Sequence, residues 1–357
     1  MQVNGSRVLT YLDFLKGLDP KGKFDHRVIN LAVRSTEMLD DITVVEANNG
    51  TALETTFRTE VPKPVWTQYY DGIPSNKGSK AKLKVTCGSM ATKIVVAKKL
   101  YDDAKDKDSV IYDEIQSAQD GMKLAMGEML VYGRLSDNPL GFNGIFKHYD
   151  KIGSETADDT RSEHYVFDAF GVAGGASAAS ESNLGSIALV GWAPHTITCF
   201  HAEDHNQGGI EITPKRVTDV PDPNKGGDAT YEAYSQYIYW QLGLAVRDFR
   251  YGGRIANIQR DDMLDHANGE QPKIAAQRYI ELIDRLSTRV HDGGVKQAWY
   301  MDKLMWEKVR TLFSRVTRDN AITFAQVGER KEKQLFGIPV RIQECMKVNE
   351  AKVATLA

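Results

Sequence analysis

The sequence predicts an α+β chain built around two extended features, a long two-stranded ribbon before residue 100 and one long helix after it. Three observations carry this expectation. Over residues 51–61 the odd positions are Thr, Leu, Thr, Phe, Thr and Val, and the even positions from Glu54 are Glu, Thr, Arg and Glu. Period-two alternation marks a strand with one apolar and one wet face. Over residues 80–87 the pattern returns, with Ala81, Leu83, Val85 and Cys87 on one side and Lys80, Lys82, Lys84 and Thr86 on the other. Beyond them Ile111, Ile115, Ala118, Met122, Ala125, Met129 and Tyr132 recur at alternating steps of four and three, a helical stripe.

Residues 1–45 read as an arm with short amphipathic pieces, in which Val28, Leu31, Ala32 and Leu39 fall at helical spacing. The ribbon follows, within 46–95. Pro62, Pro64, Gly72, Pro74 and Gly78 punctuate its connection and forbid regular pairing there. Eleven residues of strand reach roughly 36 Å, and a lone two-stranded ribbon is marginal in water. Its apolar face therefore needs cover, from the body of this chain or from a neighbouring copy.

The helix is expected from about 103 to 133, about 45 Å long. Asp102, Asp103, Asp106, Asp108, Asp113 and Glu114 crowd its start, where the positive end of the helix dipole favours carboxylates. Gly133 and the Asn138-Pro-Leu-Gly run end it. Residues 150–183 are polar and rich in Gly, Ala and Ser, a loop or weakly structured crossing. SIALVGW, HTITCF and GIEITP then read as short strands, 214–230 as a Pro/Gly/Asp loop, and 231–260 as strand again. Two helical patterns follow: Ile274, Tyr279, Leu282, Ile283, Leu286 and Val290, then Trp299, Leu304, Met305, Val309 and Leu312. FGIPVRI closes the chain as a strand alternating at Phe336, Ile338, Val340 and Ile342.

At 357 residues the chain has the length of two or three domains. Lys+Arg number 45 against 48 Asp+Glu, a net charge of −3 that argues against a dedicated nucleic-acid binder. Cys87, Cys199 and Cys345 lie far apart and read as buried small apolar residues of a reducing compartment. No stretch reads as a secretory signal or a membrane span, so a soluble, intracellular product is expected.

The residues offer little chemistry. His195, His201, Glu203, Asp204 and His205 form the one metal-like cluster, but they read better as a polar turn between strands, where i,i+4 spacing does not converge two imidazoles. GVAGGASAAS and GIPSNKGSK fit neither the dinucleotide nor the P-loop pattern, and no nucleophile elbow is present. No catalytic residue, metal or cofactor is expected. The lysines at 77, 80, 82, 84, 93, 98 and 99 allow two readings: a solubilising edge that blocks stray pairing, or a charged face that meets an acidic patch on a neighbouring copy.

The order of arm, hairpin, long helix, mixed-sheet domain and closing strand resembles the major capsid proteins of tailed bacteriophages, the Hong Kong 97 fold. Four strings resemble the epsilon-fifteen type of short-tailed phage: VEANNGTALETTFRTEVPKPVWTQYYDGIPSNKGS, GGASAASESNLGSIALVGWAPHTI, WQLGLAVRDFRYGGRIANI and LFGIPVRI. The resemblance implies an arm (1–45), an extended loop (46–95), a peripheral domain with a spine helix (96–183), an axial domain (184–330) and a C-terminal strand returning to the peripheral domain (331–357). It implies a virion shell of hexamers and pentamers around double-stranded DNA, assembled in the host cytoplasm with a scaffolding protein and a portal, without a membrane, and names a decoration protein as an optional further partner. The expected contacts between copies are Phe57, Arg58, Trp66, Tyr69, Lys80, Lys82 and Lys84 on the ribbon, with Asp102, Asp103 and Asp106 at the helix start. Aromatic residues dominate interface energetics, which favours Phe57, Trp66 and Tyr69 as anchors, although Trp66 in the subunit's own core is the rival reading. A tail-tube or connector protein, and an enzyme with a hairpin flap, are the alternative functions.

Overall fold

The computed structural model describes residues 36–58, 60–103, 107–153, 161–171, 183–203, 209–221, 229–260, 263, 272–316, 322–327 and 330–355. Most of the expected arm (1–35) lies outside them, as do Asp106, Asp204 and His205. A short helix α1 (Met38–Asp41) and strand β1 (Val44–Glu46) lead into the ribbon strands β2 (Ala52–Arg58) and β3 (Lys80–Thr86). β4 (Gly88–Ala97), α2 (Lys98–Asp103), α3 (Lys107–Tyr132) and α4 (Ile145–His148) follow. The rest is β5 (Val166–Asp168), β6 (Leu184–Trp192), β7 (Ile197–His201), β8 (Ile210–Ile212), β9 (Arg216–Pro221), β10 (Thr230–Val246), β11 (Gly252–Gln259), α5 (Pro272–Arg289), β12 (Lys296–Met301), α6 (Lys303–Val316), β13 (Ile322–Val327), β14 (Arg330–Leu335) and β15 (Ile338–Ile342).

β10 organises the sheet. Its first two thirds alternate, so that Tyr234, Ile238, Trp240 and Leu242 join the core with Ile94, Val96 and the helix residues Met122 and Met126. From Leu242 to Val246 every residue is buried, the mark of a strand covered on both faces. The change in pattern coincides with a change of partner. Residues 233–242 run antiparallel to β4, ending at Leu242↔Gly88, and 243–246 run antiparallel to β7, starting at Gly243↔Phe200. A fork opens between β4 and β7, and the ribbon leaves the body there.

The body centres on β6, buried at every position, as its apolar sequence requires, with Ser186 its one polar side chain. β12 flanks it on one edge and β11 on the other, and β15, β14 and β13 extend the sheet beyond β12. α5 buries Tyr279, Ile283 and Leu286, and α6 buries Met305, Val309, Leu312 and Phe313. Among the described residues no helix is long and apolar enough to cross a membrane.

Two buried polar clusters tie distant segments to this core. Asp41, on the segment leading to the ribbon, lies 2.9 Å from Lys296 Nζ and 2.9 Å from Arg341 Nε, and accepts from the Tyr300 hydroxyl at 3.1 Å. Glu350 lies 2.8 Å from Arg254 Nη2 and accepts from the Tyr132 hydroxyl at 2.6 Å and from Ser186 Oγ. Burial of charge is tolerated only when it is paired and hydrogen-bonded in this way.

Several expected elements are corrected. The ribbon strands pair over seven residues, roughly 24 Å, because the prolines end the ladder early. The expected helix at 103–133 resolves into α2 and α3, so Asp102 and Asp103 close a short helix instead of capping the long one. The α3 stripe also drifts. Met122, Met126 and Leu130 are buried, whereas Ala125 is exposed. The buried methionines and leucine step by four, which places Met126, a large apolar side chain, on the covered face and leaves the small Ala125 one position round the helix at its edge. The 214–230 loop contains β9, an edge strand bounded by Pro221, and Trp299 belongs to β12 and not to a helix. Phe336 sits with Gly337 in a turn at positive φ before β15, and β13 and β14 had no counterpart in the sequence reading.

Candidate inter-subunit surface

The turn at the base of the ribbon is specified by Asn48-Asn49-Gly50. Gly50 adopts φ +60°, where a side chain is disfavoured, and Asn49 and Ala52 exchange backbone hydrogen bonds of 3.1 and 2.9 Å across the turn. Asn48 brackets Glu54, accepting from its N–H and donating to its carbonyl, each at 2.8 Å. Lys84 lies 3.1 Å from Glu54, and with a further hydrogen bond from Asn49 it holds the Glu54 carboxyl below the usual carboxylate range. Beneath this layer Leu53 packs with Ala47, Phe200 and Ala245, with Val85 and Cys87 against them. Burial pushes the Cys87 thiol up to about 11, so it is a packing residue and not a nucleophile at neutral pH.

Cover then runs out along the strands. Leu53, Thr55 and Phe57 share one face with Val85, Leu83 and Ala81. Leu53 is 3% exposed and Phe57 40%. Past the paired strands Trp66 is fully exposed, and Val61, Val65, Tyr69, Tyr70 and Ile73 are also open to solvent. Scattered exposed apolar residues are ordinary, but six in thirteen positions of one projecting loop form a patch of the kind that marks an interaction site. The rival placement of Trp66 in the subunit's own core is therefore excluded.

The charged candidates separate by position. Lys84 is engaged with Glu54 inside the ribbon. Register sets Arg58 directly opposite Lys80, and Thr56 opposite Lys82. Like charges opposed across a strand pair are unfavourable. Asp102 and Asp103 are exposed at the end of α2, near Lys98, which pairs with Glu232 at 2.6 Å. Of the metal-like cluster, His195 is exposed in a turn, His201 is buried with Nδ1 2.8 Å from the Ala202 carbonyl, and Glu203 reaches the ribbon base. Sequence reading missed Tyr70 and Ile73, although both sit in the same aromatic, proline-bounded string as Trp66. It also missed Phe200 and Glu203, which no local pattern connects to residue 50.

A chain with a large mixed sheet, a long helix and a projecting ribbon with an uncovered apolar tip has the fold of the phage capsid proteins. It matches a chain of the near-atomic cryo-EM structure of bacteriophage Epsilon15 with a TM-score of 0.73 and 20% identity, over 99% of each chain. The bacteriophage JBD30 capsid matches with a TM-score of 0.49 and 12% identity, over 95% of this chain and 100% of that one. No curated protein matches. Residues 19–354 match the family model of the major capsid protein GP7, and the chain belongs to that family. It is a structural protein of a phage capsid shell, not a tail tube or connector, and its fold is the Hong Kong 97 fold expected from the sequence.

Proposed function

We propose that several hundred copies close an icosahedral shell of hexamers and pentamers around double-stranded DNA, and that the ribbon is the grip between copies. The observation that carries this is the exposed aromatic tip, which has no cover on its own subunit. Burying such a tip gains about 25 cal/mol per Å2, offset by ordering costs, and a closed lattice repeats the gain at every contact. Phe57, Trp66 and Tyr69 serve as anchors. Arg58, Lys80 and Lys82 meet an acidic patch on the neighbour, with Asp102, Asp103 and Asp106 as its members.

In this reading residues 1–45 form the arm, 46–95 the extended loop, 96–183 the peripheral domain, 184–330 the axial domain and 331–357 the returning strand. Assembly takes place in the host cytoplasm with a scaffolding protein and a portal, and a near-neutral lining leaves the DNA free to enter and leave.

Trp66→Ala tests the grip. Particle counts by negative-stain microscopy fall sharply while the isolated subunit keeps its thermal midpoint. Normal counts refute the proposal. Lys80→Gln with Lys82→Gln tests the electrostatic half, since it removes both charges without setting a carboxylate beside Glu54 or opposite Arg58; unchanged assembly and unchanged salt dependence would refute it.

A further inference from the structure

The polar stretch after β7 has no role in the sequence reading, yet the structure places its first residues at the fork. β1 runs parallel to β7 as far as Glu46↔His201, and the Ala47 N–H donates to the His201 carbonyl at 2.9 Å. There the regular ladder ends. Glu203 continues the attachment by other means: its Oε2 accepts from the Gly50 N–H at 3.0 Å, and its own N–H donates to the Gly50 carbonyl at 2.9 Å. This reciprocal pair joins residues 153 apart in sequence at the turn from which β2 departs. On the returning strand the Cys87 N–H donates to the Thr51 carbonyl at 2.8 Å, and Cys87 Sγ lies 3.7 Å from the Phe200 carbonyl, a weaker hold.

We infer that Glu203 is a positioning residue for shell assembly, its side-chain oxygen fixing, through the Gly50 N–H, the angle at which the ribbon leaves the body. The inference rests on the reading of the ribbon as the grip between copies. Its physical basis is leverage. The paired strands extend roughly 24 Å, so a tilt of about 10° at the base moves their far end by about 4 Å, more than a hydrogen-bond length. The small apolar cluster around Leu53 resists separation from the body, but its contacts are non-directional. The Gly50–Glu203 pair is directional, and it sits where tilt begins. Glycine is needed at position 50 for its positive φ and not for space, since no atom lies within 4 Å of where a Cβ would stand.

The test compares Glu203→Ala and Glu203→Gln in the full-length chain. Glu203→Ala removes the acceptor; Glu203→Gln keeps one and removes the charge. Amide hydrogen exchange of the purified, unassembled subunit should show residues 52–58 and 80–86 exchanging roughly fivefold faster in Glu203→Ala, the factor expected for one lost hydrogen bond. β6 and β12 should be unchanged, the thermal midpoint held, and particle yield reduced. Glu203→Gln should behave as the parent. Unchanged ribbon exchange in Glu203→Ala overturns the assignment, as does equal loss in both variants, which would make charge and not the Gly50 bond the agent. A loosened ribbon with normal particle yield overturns the role in assembly. Trp66→Ala remains a separate test of whether the tip grips a neighbour at all.

Discussion

Leu242 and Gly243 are consecutive residues of one strand, yet Leu242 pairs with Gly88 of β4 and Gly243 pairs with Phe200 of β7. The ribbon projects from this exchange of partners. Gly243 is also where a Cβ would stand 2.5 Å from Phe200 Cζ, and Phe200 belongs with Leu53 to the small cluster at the ribbon base. Gly243→Ala must displace Phe200. It is expected to destabilise the subunit by about 1–3 kcal/mol in urea unfolding, the range for an overpacked core. A change below 0.5 kcal/mol, on the order of a neutral surface substitution, would mean that the base adjusts freely.

The gradient of cover along the ribbon separates two substitutions on one face. Leu53→Ala opens a cavity in the base cluster and should lower stability by about 2–3 kcal/mol. Phe57→Ala, four residues on, should leave the isolated subunit within about 0.5 kcal/mol but reduce particle yield. Chemical denaturation of the two proteins, set beside their particle counts, checks the contrast. Equal destabilisation would show that the ribbon is covered along its whole length by its own body.

Arg254 and Glu350 are buried partners, and a half-removed pair is worse than none. Glu350→Ala would leave the guanidinium without its carboxylate and release Tyr132 and Ser186, at an expected loss of about 3–5 kcal/mol. Arg254 also stacks over Phe146, its Cζ 3.9 Å from the ring centroid, so the loss should spread to the α3–α4 corner. Thermal unfolding measures the first effect, and hydrogen exchange of residues 130–149 the second.

His148 gives the subunit an acid limit. Burial, with the Lys147 charge beside it, pushes its pKa down to about 4, while Asp150 pulls weakly the other way. Its Nε2 is buried. The unfolded chain binds the proton near pH 6.5 and the folded one only near pH 4, so stability is full above pH 6.5 and declines as pH falls between those values. The expected loss from this residue is at most about 3 kcal/mol. His148→Phe should remove that part of the slope, read as the difference between urea midpoints at pH 7 and pH 4.5. Parallel pH profiles for the two proteins would discard the assignment.

The sequence determined much of this protein by local rules. Alternation at 51–58 and 80–87 specifies paired strands with one apolar face, and the apolar SIALVGW run specifies a strand of the body. It also showed that the ribbon's apolar face needed cover, because that follows from composition along a single element. Elements decided by distant partners were illegible. β9 hides between prolines that an edge strand tolerates, β12 was absorbed into a helical pattern through Trp299, and α3 turns Met126 and not Ala125 to the core, a choice made by what packs against it. Only the tertiary structure decided where cover ends, at Phe57, and which residues hold the base. Phe200 and Glu203 come to the ribbon from β7 and its exit, and Ala245 from the last residues of β10, and contacts across such separations are fixed by how the sheet forks, which no window of neighbouring residues encodes.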